Sequence, residues 1–89
     1  MRTVKLDVEK MKGLPELHRY LRRVLLLPVY YGSNLDGLYD CLTEMKEETE
    51  LIVPQEMTKE EYLGWYGTQL MQVLQDAAEE NPALKLKLQ

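Results

Sequence analysis

The spacing of hydrophobic and polar positions changes several times along this chain, and each change marks an element. Val4, Leu6 and Val8 alternate with Lys5 and Asp7, the period-two pattern of a half-buried strand. MKGLP, residues 11–15, reads as a turn. Leu14, Leu17, Leu21, Val24 and Leu25 then recur at helical spacing, which predicts a helix from about Pro15 to Leu26, ended by Pro28. Arg19, Arg22 and Arg23 fall mostly on its other side. After VYYGS, residues 29–33, a second helical stripe runs through Leu35, Leu38, Leu42 and Met45, with Ser33 or Asn34 suited to cap its start. Asp36, Tyr39, Asp40 and Thr43 lie off that stripe, toward solvent or a partner.

Leu51, Ile52 and Val53 form a continuous apolar run bounded by Pro54, the pattern of an interior strand. Thr58 and Glu61 have the spacing of a capping box, which predicts a short helix. Gly64 and Gly67 put Trp65 and Tyr66 in a tight junction. A longer helix is predicted from about Thr68 to Glu80, with Leu70, Val73, Leu74 and Ala77 inward and Asn81-Pro82 as its stop. Leu84, Leu86 and Leu88 alternate with Lys85 and Lys87 as a last strand. Strands separated by helices predict an α/β fold with a three-stranded parallel sheet. The strands should follow chain order, with Leu51–Val53 central, helices on one face and right-handed crossovers. At 89 residues the chain is expected to be one domain, 1–89.

Charge is unevenly spread. Residues 1–33 hold seven Lys/Arg against three Asp/Glu, whereas residues 34–80 hold two against twelve. The acidic part repels phosphates, which disfavours nucleic acid as a partner, and attracts a basic protein. The longest apolar run, Val24 to Leu27, is too short to span a membrane, and the first residues lack a signal peptide's apolar run. The expectation is a soluble, cytoplasmic protein. One cysteine, Cys41, excludes an internal disulfide. No Cys/His cluster, calcium-loop spacing or glycine-rich phosphate loop is present, so no metal or cofactor is expected. His18 reads as a surface or boundary residue of the first helix. Cys41, beside Asp40, reads as an inert, partly buried thiol.

One stretch stands apart: YYGSNLDGLYDCL, residues 30–42. It places Asp36 and Asp40 one helical turn apart, where like charges repel by about 0.2–0.5 kcal/mol. A helix N-terminus stabilises a carboxylate in its first turn, which accounts for Asp36 but not for Asp40. No substrate cleft is indicated around the pair, so paired-carboxylate hydrolysis, and enzyme activity generally, is not expected. Carboxylates on a helix edge beside Tyr30, Tyr31 and Tyr39 suit a protein-binding surface.

The segment LPVYYGSNLDGLYDCLTE, Leu27 to Glu44, resembles the signature of the barstar family of ribonuclease inhibitors. The matching residues are Leu27, Pro28, Tyr30, Tyr31, Gly32, Asn34, Leu35, Asp36, Leu38, Tyr39, Asp40 and Leu42. The resemblance implies a barstar-like two-layer fold. It also implies an inhibitor whose loop and second helix plug a nuclease active site, the carboxylates standing in for RNA phosphates. Asp40 would then be the central anchor, with Asp36 beside it and Tyr30 stacked over the mouth of the active site. Tyr31, Asn34 and Leu35 would line the contact, Gly32 would admit a close backbone, and Asp76 would add a peripheral charge. Tyr39 and Thr43 belong to the same partner-facing side. The implied partner is a small basic ribonuclease, barnase-type or related, bound one-to-one by a monomer. A barstar-like interaction or regulatory module with a non-nuclease partner is the alternative.

Overall fold

The computed structural model describes residues 1–89. In chain order the elements are β1 (Arg2–Lys5), α1 (Leu14–Val24), α2 (Leu35–Thr43), β2 (Thr49–Val53), α3 (Trp65–Glu80) and β3 (Leu84–Leu88). Short 3-10 turns occupy Val8–Lys10 and Gln55–Thr58. The strands pair in parallel, in the order β1-β2-β3. This is the expected α/β architecture with the expected central strand.

The sheet register explains why the helices share one face. Val4, Leu51 and Leu86 stand in one row, flanked by the Thr49–Leu84 and Val53–Leu88 pairs. The alternate row of Lys5, Ile52 and Lys87 points the other way. Parallel sheets are usually covered on both faces. Here the outer face meets water through Thr3, Lys5, Glu50, Lys85 and Lys87. Ile52, half-buried, lies between two lysines whose aliphatic stems can shield it. The inner face carries a core that includes Leu17, Leu21, Leu38, Leu42, Leu51, Leu70 and Leu74, all fully buried.

Several boundaries differ from expectation, each for a local reason. β1 stops at Lys5. Val8 is buried, but in a 3-10 turn whose start is capped by Asp7, its carboxylate accepting from the Glu9 amide at 3.0 Å. The Tyr20 hydroxyl accepts from the Asp7 amide at 2.9 Å and ties this turn to α1. Leu14 lies on the predicted stripe yet is exposed, because it rims an open cleft with Pro15, His18 and Ser33. No helix starts at Thr58. Its hydroxyl instead donates back to the Gln55 carbonyl at 2.9 Å, closing the 3-10 turn. His18, expected at the surface or boundary of the first helix, is buried at the boundary between the core and the cleft that Leu14 rims.

The last helix starts three residues earlier than the two glycines suggest. Gly64, at φ +55°, makes the turn before it, and Trp65 is exposed rather than packed in a junction. Gly67 is inside the helix. It sits where α3 passes the Met57 carbonyl, and a Cβ there would collide with that backbone. Replacing a helix-interior glycine with alanine ordinarily gains up to about 1 kcal/mol. Gly67→Ala is expected to reverse that sign and cost about 1–3 kcal/mol through overpacking, read by urea unfolding.

Candidate functional site

The candidate site begins where α1 ends. Leu25 closes the helix, Leu26 takes φ +55°, and the Leu27 amide donates to the Arg22 carbonyl at 3.0 Å. This is a Schellman-type reversal. With leucine in place of glycine, the left-handed conformation costs about 1–2 kcal/mol. The reversal sends Leu27 back into the core and turns Val29 and Tyr30 outward, Tyr30 being 74% exposed. The Tyr31 amide then donates to the Pro28 carbonyl at 3.0 Å, closing a turn.

Ser33 is the second left-handed residue, at φ +56°, and it delivers the chain to Asn34. Of the two candidate caps, Asn34 is the one that bonds. Its Oδ1 accepts from the Gly37 amide at 2.6 Å, and its Nδ2 donates to the Gly32 carbonyl at 3.2 Å. Leu38, Cys41 and Leu42 bury the inner side of α2. At its far end, Asn81 Nδ2 donates to the carbonyls of Leu42 and Met45, both at 2.8 Å. The Asn81 Oδ1 accepts from the Ala83 amide at 3.0 Å. Its sequence context predicts only a stop for α3. In the fold it is also a buried clamp on the end of α2.

The outward side of α2 is acidic and unneutralised. Asp36 and Asp40 are exposed and neither forms an ion pair; the two in the chain are Arg2–Glu47 at 3.9 Å and Lys12–Glu9 at 2.9 Å. Tyr39 is half-buried beside α3. Burial pushes its phenol up, and the charges of Glu80, Asp76 and Asp40 push in the same direction. The negative charge felt at Tyr39 thus comes from both helices. Asp76 also accepts from Gln72 Nε2 at 2.9 Å. Glu80 is not among the expected residues, although its spacing from Asp76 repeats that of Asp36 and Asp40. The Thr43 hydroxyl donates to the Asp40 carbonyl at 2.9 Å. Tyr30 lines a shallow groove with Cys41, Glu44 and Met45.

Two of the expected contact residues are partly or wholly covered in the free protein. Tyr31 is 7% exposed, with its hydroxyl on His18 Nδ1, so it supports the loop from beneath. Leu35 is half-buried against the core. The Cys41 thiol is pushed up by burial, then by Glu44 and Asp40, the opposite of the environment that activates a thiolate. No three His, Cys, Asp or Glu side chains are grouped to hold a metal ion. The outer surface offers carboxylates and an exposed aromatic, a set that receives cations.

A family model described as Barstar (barnase inhibitor) matches residues 1–89. The chain belongs to the barstar family. A Bacillus subtilis (strain 168) relative named "Putative ribonuclease inhibitor YrdF" is 35% identical over 81 residues, 90% of this chain and 89% of the relative. The helices on a three-stranded parallel sheet agree with a barstar-like fold. Barstar membership supports a barnase-inhibitor-like role and not that of an enzyme. No helix is long and apolar enough to cross a membrane.

Asn81→Ala removes a buried side chain that serves three backbone groups. It is expected to lower unfolding free energy by about 1–3 kcal/mol. Thr43→Ala, which removes one bond at a partly exposed position, should stay within about 0.5 kcal/mol of the wild type. Denaturant titration of both variants checks the contrast.

Proposed function

We propose that this barstar-family protein inhibits a small basic ribonuclease, barnase-type or related, by covering its active site with α2 and the loop before it. One observation carries the reading: Asp36 and Asp40 stand exposed, one turn apart, with no cation of their own chain beside them. Their mutual repulsion of about 0.2–0.5 kcal/mol is small. It is more than offset when a cationic cleft receives both charges. The carboxylates then occupy positions that RNA phosphates would take, with Asp40 central and Asp36 beside it.

The surroundings support the same picture. Asp76 and Glu80 widen the negative surface around Tyr39. Tyr30 stands free to cover the rim of the cleft, while Gly32, Asn34 and Thr43 flank the charges. The acidic balance of residues 34–80 would steer a basic enzyme toward this side. The same charge works against nucleic acid as the target of this face. In this reading the protein is a cytoplasmic monomer, one domain that binds one enzyme and neutralises a toxic ribonuclease.

Calorimetric titration of barnase with this protein and with Asp40→Ala tests the reading. Tight one-to-one binding is expected, weakened at least about thirtyfold in the variant, as for an interfacial hot spot. Barnase inhibition is itself the reference case for such anchors, and its central aspartate exceeds this hot-spot threshold by a wide margin. Folding stability should change by less than about 0.5 kcal/mol, because Asp40 has no side-chain partner in the free protein. Equal losses of binding and stability would remove the interface role. Raising the salt concentration should slow association and leave dissociation nearly unchanged. A salt-independent association rate would remove the steering.

A further inference from the structure

One polar network lies inside the molecule, behind the proposed interface. His18, on α1, is 5% exposed. Its Nδ1 meets the Tyr31 hydroxyl, and its Nε2 lies 2.7 Å from the Tyr66 hydroxyl. The ring centroids are 5.8 Å apart for Tyr31 and 5.9 Å for Tyr66, the latter edge-on. The network joins α1, the loop before α2 and the first turn of α3.

We propose that His18 and Tyr66 are positioning residues for partner binding, holding residues 28–34 in the shape that presents Tyr30 and the capped start of α2. This deepens the inhibitor reading above and rests on it. A neutral imidazole has one N–H and one lone pair. One tyrosine therefore donates to His18 and the other accepts from it, and each fixes the other's hydroxyl through the ring. The loop has few fastenings of its own: the Pro28–Tyr31 turn bond and the bonds of Asn34 to Gly32 and Gly37. Left-handed residues stand near both of its ends, Leu26 and Ser33. Such backbone persists only where the surroundings over-determine it. The buried Tyr31 ring is the anchor between them, and His18 grips that anchor.

The same arrangement makes the loop sensitive to acid. The groups facing His18 are Tyr31 from the loop, Tyr66 from α3, and Arg19 and Arg22 from α1 itself, with uncharged Ser33 across the cleft. None is a carboxylate. Burial accordingly holds the imidazole below its ordinary value of 6.5. Protonation would make both ring nitrogens donors, strand the hydrogen of the donating tyrosine, and leave a buried charge without a counterion. The stabilisation from neutral His18 is complete above the unfolded-chain value of 6.5 and is lost as pH falls toward the lower folded value.

The test is amide hydrogen exchange, followed by NMR on the free protein, at about pH 7.5 and about pH 5.5 after correction for intrinsic rates. Wild type, Tyr66→Phe and His18→Gln are compared, with barnase binding measured alongside. Tyr66→Phe keeps the ring and removes one hydroxyl. Its loop amides should exchange about fivefold faster with β2 unchanged, and barnase affinity should fall by a similar factor. Acid should loosen the wild-type loop and leave the His18→Gln loop indifferent to pH. Unchanged loop protection in Tyr66→Phe, or acid loosening that persists in His18→Gln, would overturn the proposal. Loop loosening by Tyr66→Phe in a protein that never binds barnase would uphold the anchor and overturn barnase as the partner.

Discussion

Two like charges, one helical turn apart and with no cation from their own chain, are what the rest of the structure has to support. Asp36 and Asp40 repel each other only weakly across water. The demand falls on α2, which must present them without a local counter-charge to fasten it. Its hold therefore comes from the other side and from the two ends. Leu38 and Leu42 are fully buried beneath it, Asn34 satisfies its first turn, and Asn81 reaches from the end of α3 to its last carbonyls. These contacts are apolar or neutral. The helix can therefore be fixed while its outer face stays charged and open.

The one-sided sheet completes this arrangement. Lysines on the outer face of β1 and β3 keep that face wet, and the helices crowd onto the other. α2 and α3 consequently run side by side. Tyr66, in the first turn of α3, reaches through His18 to the loop before α2, and Asn81 closes the far ends. This packing brings Asp76 and Glu80 to Tyr39 and widens the acidic surface beyond the signature stretch. The charge is uneven along the chain, with the carboxylates of α2 and α3 on one side of the candidate loop and Arg19 and Arg22 of α1 lining a cleft with its Ser33.

The strands were legible because their side chains alternate between the helix side and the wet side of the sheet, so the period-two pattern of Leu84, Leu86 and Leu88 survives in β3 although Leu88, at its end, is exposed. The cap and stripe of α2 were legible for a similar reason: Asn34, Leu38 and Leu42 act within one short segment. What depended on distant partners was not legible. His18 sits among arginines in the sequence and reads as surface, yet its partners are 13 and 48 residues away. Gly67 reads as a helix breaker because nothing nearby announces the Met57 carbonyl. The Thr58–Glu61 pattern lost to a tighter turn closed by Gln55. Tyr31 is aromatic like Tyr30, but the turn between Pro28 and Tyr31 sends one ring outward and the other into the core. The spacing of Asp76 and Glu80 was visible, but its meaning needed the contact of α3 with α2.

The most direct measurement is competition on barnase between this protein and a nucleotide phosphate that occupies the active site. If the carboxylates of α2 take the positions of RNA phosphates, the two cannot be bound together. The apparent affinity of the protein should then fall in proportion to added nucleotide, as for mutually exclusive ligands. A ternary complex, with the nucleotide still seated while the protein is bound, would contradict active-site blockade.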